Sequence, residues 1–245
     1  MNIKERERYA RHILLKEVGG PGQQRLHAAT VVIVGMGGLG APAALYLAAA
    51  GVGALRLIDD DVVALSNLQR QILYRSDEIG ARKVNRAEAA LGALNAHVLI
   101  ETRAVKLNAA NAHDLLIGAD LVLDGTDDFA TRFAVNDACR AMKIPLVSGA
   151  VGRWSGQVSV FAPGGPCYRC LVPEAPPEAE TCAQVGIVGA LPGVIGSMMA
   201  LEAIKLIAEA GALLQGRLFI FDGLNAEART ITLKRDPACP VCSHE

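Results

Sequence analysis

Gly35-Met36-Gly37-Gly38-Leu39-Gly40 is the run with the plainest chemical use. It fits G-x-G-x-x-G, follows the apolar run Thr30 to Val34 and opens the Ala-rich stretch Ala41 to Ala50. In a strand, turn and helix, such glycines permit a tight turn and let phosphate or ribose approach bare backbone N–H groups at the positive end of the helix. Asp59 ends the next apolar run, Ala54 to Ile58, where a carboxylate accepts hydrogen bonds from ribose hydroxyls. No G-x-x-x-x-G-K-[ST] phosphate loop occurs. The glycines leave two chemistries open: dinucleotide-dependent hydride transfer, and a reaction that consumes ATP.

The next segment favours ATP. Ser66-Asn67-Leu68-Gln69-Arg70-Gln71, and then Arg82-Lys83, bring cations to the ribose end. Hydride transfer needs two phosphates held and a dry ring pocket, which gives clustered Arg and Lys no obvious task. A triphosphate needs fixed positive charge where negative charge develops; Arg70 and Lys83 supply it, and Asn67 adds a neutral donor. The plainer alternative is a charged surface helix pairing with Asp77 and Glu78.

Cys167-x-x-Cys170 and Cys239-x-x-Cys242 are two C-x₂-C pairs that can complete a tetrahedral thiolate set for Zn²⁺. With all four positions filled by protein, such a site clips distant segments together and leaves none open for substrate. Two redox dithiols or disulfides are the alternative. Cys139 falls in a helical stretch and reads as a small buried hydrophobe. The histidines show no ligand spacing.

Arg8-Tyr9-x-Arg11, the Gly35–Gly40 loop, Asp59 with the Ser66–Gln71 run, and Asp124-x-Thr126-Asp127 together resemble the ThiF/MoeB family, bacterial relatives of ubiquitin-activating enzymes. The resemblance extends from Arg8 to Cys242. It implies ATP-dependent adenylation of the C-terminal glycine of a ubiquitin-like sulfur carrier, ThiS in thiamine synthesis or MoaD in molybdopterin synthesis. It further implies that Asp59 holds the ribose, that Asn67, Arg70 and Lys83 hold the phosphates, and that Asp127 binds Mg²⁺. Arg11 resembles an arginine that reaches into a neighbouring subunit's site, which implies a homodimer. Cys182 matches a family cysteine that handles sulfur or a thioester, and the four paired cysteines match a structural zinc site. One departure is Asp128, which stands where the family usually has Asn; an acid at a helix start is its simplest account. Because the chain closes soon after Cys242, sulfur is expected from a separate donor such as a cysteine desulfurase. The competing readings are an NAD-dependent oxidoreductase, a zinc-stabilised scaffold without catalysis, and a tRNA-activating member of the same superfamily.

These residues need a scaffold. The chain has 245 residues, 51% hydrophobic and 20% charged, with a formal charge of −1. That excludes disorder and a broad basic field for nucleic acid. Met1 to Arg11 is charged and lacks the apolar core of a signal peptide, which points to the cytoplasm. The uncharged stretches Leu26 to Leu55 and Val185 to Leu201 are too rich in Gly and Pro for lipid-exposed helices and read as core.

Beyond the first strand, helix and strand, the alternation continues. Lys83 to Leu94 reads as helix, Val98 to Thr102 as strand, Asn111 to Leu116 as helix and Leu121 to Leu123 as strand. Thr131 to Met142 is then helix and Pro145 to Ser148 strand. Glu5 to Glu17 reads as an amphipathic helix with Ile13 and Leu14 inward. Gln157 to Ala162 and Leu218 to Asp222 read as later strands, Pro173 to Thr181 as an exposed connection, and Ile195 to Ala210 as a helix burying Met198, Met199 and Leu201. The expected class is α/β: a Rossmann-like, largely parallel sheet with helices on both faces, extended by a C-terminal zinc-clipped mixed-sheet part. We expect one domain over residues 1–245, with a nucleotide-binding half (1–150) and a zinc and carrier-binding half (151–245).

Overall fold

Strand β1 (Thr30–Val34) is buried along almost its whole length, which is why its sequence is an unbroken β-branched run instead of an alternation. Residues 1–176 and 186–243 are described in a computed structural model. Around β1 lie β2 (Ala54–Ile58), β3 (Leu99–Arg103), β4 (Leu121–Asp124) and β5 (Leu146–Gly152). The sheet continues through β6 (Ser155–Phe161), β7 (Arg217–Asp222) and β8 (Glu227–Thr232). Its order is β3-β2-β1-β4-β5-β6-β7-β8. The first five strands pair in parallel and the remainder antiparallel. The strand order reverses between β1 and β4, the place where open α/β sheets bind ligands at their carboxyl ends.

The helices are α1 (Ile3–Arg8), α2 (Ala10–Ile13), α3 (Gly19–Ala28), α4 (Gly40–Ala50) and α5 (Lys83–Leu94). Then follow α6 (Ala112–Leu116), α7 (Phe129–Met142), α8 (Tyr168–Leu171) and α9 (Ala190–Ala208). One sheet face packs Val31, Ile33 and Leu57 against Leu47 of α4, Leu91 of α5 and Met199 of α9. The other packs Val32, Val34 and Ile58 against Leu116 of α6 and Val135 of α7. The expected class is what the chain forms.

Several local expectations need correction. The segment Glu5 to Glu17 is two short helices, not one, and Leu14 is 75% exposed. Its inward anchor is Tyr9, whose hydroxyl accepts from Asn95 Nδ2 at 2.8 Å. Helix α3 was hidden by its Gly-Gly-Pro-Gly start; the buried Gln23 fixes it by donating to the Ala50 carbonyl at 2.8 Å. Strand β8 is exposed throughout and has no apolar face for a pattern search to find. Helix α9 begins five residues before the expected Ile195, because Pro192 sits in its first turn, where a missing N–H costs little. Met199 is buried and Met198 half-buried, whereas Leu201 points outward at 55% exposure. Although α9 has the length and apolarity of a membrane span, half of it is buried inside this fold. Of the connection Pro173 to Thr181, Pro173–Pro176 is exposed and 177–181 lies outside the described residues.

Candidate active site

Gly35 turns the chain out of β1 with φ +87°, a conformation that L side chains avoid. Gly40 starts α4 so close to that turn that a Cβ would stand 1.8 Å from the Gly35 carbonyl oxygen. Between them Gly37 and Gly38 face a cavity of about 530 Å³ over the ends of β1 and β4. The loop is fastened from two sides. Asp59 Oδ2 accepts from the Met36 N–H at 2.7 Å, and the buried Tyr74 hydroxyl donates to the Met36 carbonyl at 2.7 Å. Burial pushes the Asp59 carboxyl above its ordinary value, against the pull of Lys83 and of the Asp61 and Met36 N–H groups.

Asn67 closes a 3₁₀ turn, Leu65–Asn67, and its carbonyl accepts from the N–H groups of Arg70 and Gln71 at 3.0 and 2.9 Å. That turn places Asn67, Arg70 and Gln71 together on the cavity wall. Arg70 is steadied by donation to the Ser66 carbonyl at 3.0 Å. Lys83, the first residue of α5, is only 3% exposed, and its ammonium meets Asp61 Oδ2 at 2.8 Å. The expected alternative partners do other things: Glu78 lies 3.9 Å from Arg86, and Asp77 is exposed.

Across the cavity, Asp124 at the end of β4 is 1% exposed and accepts from the Thr126 N–H (3.0 Å) and hydroxyl (2.7 Å). Arg132 of α7 stands 3.3 Å from Asp124 Oδ2 and donates to the carbonyls of Gly149, at 2.8 Å, and Thr126. This network fixes the loop that presents Asp127, an exposed carboxylate on the cavity wall with no ion-pair partner among the described residues. Asp128 caps α7, accepting from the Thr131 N–H at 2.9 Å and hydroxyl at 2.6 Å, with Lys106 3.6 Å away. It is a helix-start acid, as expected.

A shallower recess of about 250 Å³, lined by Ala150, Val151, Gly152, Ser155, Gly156, Gln157 and Ile220, adjoins the cavity. The two share Ala150, Val151 and Gln157. Separately, the sulfurs of Cys167, Cys170, Cys239 and Cys242 all lie within 4.8 Å of one another. Cys167 and Cys239 are 3.6 Å apart, Cys170 and Cys242 3.4 Å. Sulfurs 2.3 Å from a tetrahedral Zn²⁺ are about 3.8 Å apart, so the set fits that ion.

Escherichia coli MccB, solved with MccA-N7isoASN, superposes with a TM-score of 0.85 over 96% of this chain and 74% of that one, at 24% identity. That likeness is one of fold. The Haloferax volcanii protein named SAMP-activating enzyme E1 is 45% identical over 244 residues, 99% of this chain and 90% of its own length. The Thermus thermophilus sulfur carrier protein adenylyltransferase is 45% identical over 250 residues, 99% of this chain and 92% of its own. The sequence pattern of the ThiF family matches residues 9–241. The chain belongs to the ThiF family.

Within this ThiF-family fold, one cavity collects Gly35, Gly37, Gly38, Asp59, Asn67, Arg70, Lys83 and Asp127. Gly40, expected to touch ligand, does not line the cavity; it is needed for the close passage of α4 past the turn. Arg11, exposed on α2, is not on the wall of its own chain's cavity. Cys182 lies outside the described residues. Sequence reasoning missed Arg132, Lys106 and Tyr168 on the wall, and left Gln71 without a role. Gln71 is 5% exposed and its side-chain oxygen has no hydrogen-bond partner among the described residues. Its place in the quoted Ser66–Gln71 run was the available signal; Arg132 and Tyr168 are brought to the wall only by tertiary packing.

Proposed function

We propose that this ThiF-family adenylyltransferase joins the C-terminal glycine of a ubiquitin-like sulfur carrier, of the ThiS or MoaD kind, to the AMP portion of ATP. The observation that carries the reading is the convergence of the glycine turn, Asp59, the Asn67–Arg70–Lys83 set and Asp127 on one cavity that opens into the small-residue recess. An extended tail ending in glycine suits that recess, whose lining includes Gly152, Ser155 and Gly156 in place of bulky side chains.

In this reading, a carboxylate oxygen of the tail attacks the α-phosphorus of ATP, the bond to the β-phosphate oxygen breaks, and pyrophosphate departs. Backbone N–H groups at the glycine turn hold phosphate, and Asp59 accepts from the ribose hydroxyls. Arg70, Lys83 and Asn67 stabilise charge as it develops, and no covalent bond to the protein is required. Lys83 is preset by Asp61, which holds its ammonium at 2.8 Å beside the cavity. Asp127 would hold Mg²⁺, which supplies neutralising charge on the phosphates. Asp128 is not the ligand in this scheme, because Thr131 and Lys106 already engage it.

The four cysteines would hold Zn²⁺ as a structural clip between two distant segments, around 167–170 and around 239–242, both in the 151–245 half of a single domain whose other half is 1–150. Arg11 stands clear of its own cavity and would complete a partner's, which makes the working unit a homodimer. Cys182 acts after adenylation, with sulfur from a separate donor such as a cysteine desulfurase. The setting is the cytoplasm, where thiols stay reduced, with neither membrane nor nucleic acid as partner.

The test is ATP–pyrophosphate exchange in the presence of each purified carrier, with products weighed by mass spectrometry. Carrier-dependent exchange and a carrier heavier by one AMP are expected, and Cys182→Ala should retain both. No exchange, with tight NAD binding in its place, would return the chain to hydride transfer.

A further inference from the structure

Cys167-Tyr168-Arg169-Cys170 is more than a metal knuckle. The two residues between its cysteines face α7, the helix that carries Arg132 into the nucleotide cavity. The Tyr168 N–H donates to Asn136 Oδ1 at 2.8 Å, and Asn136 is buried. Arg169 makes a two-pronged pair with Asp137, its Nε 2.9 Å from Oδ1 and its Nη2 2.8 Å from Oδ2. The Arg169 guanidinium also lies 4.2 Å above the Phe133 ring. Phe133, Asn136 and Asp137, on neighbouring turns of α7, thus hold this knuckle.

Tyr168 itself is 4% exposed and forms part of the cavity wall. Its ring is set by Phe133 and Phe161, at centroid distances of 5.9 and 6.0 Å, and Arg132 stands 5.9 Å over it. Arg132 in turn fixes the Thr126 and Gly149 carbonyls. A continuous chain of contacts therefore runs from the thiolate set through Tyr168 and Arg132 to the loop bearing Asp127.

We propose that the cysteine site and the nucleotide cavity are thermodynamically coupled, with Tyr168 as the positioning residue between them. Filling the thiolate set locks the ends of the knuckle, so Tyr168 keeps its place and Arg132 keeps its own. Emptying it frees Cys170 and lets that wall relax. Coupling between two ligands is reciprocal, so nucleotide must also tighten the hold on zinc. The proposal rests on the nucleotide reading above.

The experiment is an equilibrium zinc competition on the intact protein with a chromogenic chelator, with and without saturating AMPCPP, whose own binding is followed by calorimetry. AMPCPP should raise zinc affinity about fivefold or more. Tyr168→Ala should still take up zinc and lose this gain, and Tyr168→Phe, which retains the ring, should restore it. Asp137→Asn, on the half-exposed side of the link, should shrink the gain without disturbing the fold, which settles the matter if Tyr168→Ala fails to fold. Equal zinc affinity with and without bound AMPCPP overturns the coupling and leaves the nucleotide reading standing. Failure of AMPCPP to bind the zinc-loaded protein overturns both.

Discussion

Asp127 and Asp128 are neighbours with opposite duties, and their partners tell them apart. Asp127 is exposed on the cavity wall, so Asp127→Ala should abolish carrier adenylation while circular dichroism stays unchanged. An active Asp127→Ala protein would remove the metal assignment. Asp128 serves the helix: its loss should leave exchange largely intact and cost about 1 kcal/mol of stability, read from urea unfolding. Burial pushes its carboxyl up, but the Thr131 hydroxyl and N–H, with Lys106, outweigh burial and hold it below its ordinary value. The folded state therefore prefers the ionised form. That preference is complete above the unfolded value of about 3.9 and fades as pH falls through the lower folded value. The stability gap between the wild type and Asp128→Ala should accordingly narrow on acidification. Arg70→Ala should lower exchange by a factor of about 100 to 1,000, the typical loss when one preorganised donor to developing charge is removed.

Helix α4 and the turn before it depend on a missing side chain. Gly40→Val should force the helix start away from Gly35, losing nucleotide binding together with stability, measured by calorimetry and thermal melting. The knuckles work in the same supporting way: about one zinc per chain is expected, and Cys170→Ser should lose it along with thermal stability. The segment from β1 through α4 to β2 was legible in the chain because burial on both sheet faces demands continuous apolar runs, and a helix wedged against a turn demands glycine. The cluster of Asn67, Arg70 and Lys83 was legible because a local turn and a helix start place it. Helix α3 was not, since Gln23 and tertiary contact, rather than propensity, hold its glycine-rich start. Nor was β8, whose reason for being a strand is the backbone of β7. Arg132 and Tyr168 gave no signal because their duty exists only once α7 and α8 have docked.

From β3 to β8 the backbone ladder is unbroken, and it crosses from parallel to antiparallel pairing at β5 and β6 without a gap. The nucleotide end and the cysteine end share one sheet. We therefore expect a single unfolding transition, with far-ultraviolet dichroism and the fluorescence of Trp154, the only tryptophan, changing together in urea. Two separated midpoints would show that the halves fold independently. The same ladder limits how substrate is admitted. A sheet bonded straight across has no hinge, so two lobes cannot swing shut on ATP as a clamp. Under the proposed function, recognition falls to what travels over a rigid floor: the visiting tail, the loops at its margin, and the Arg11 proposed to come from a second copy.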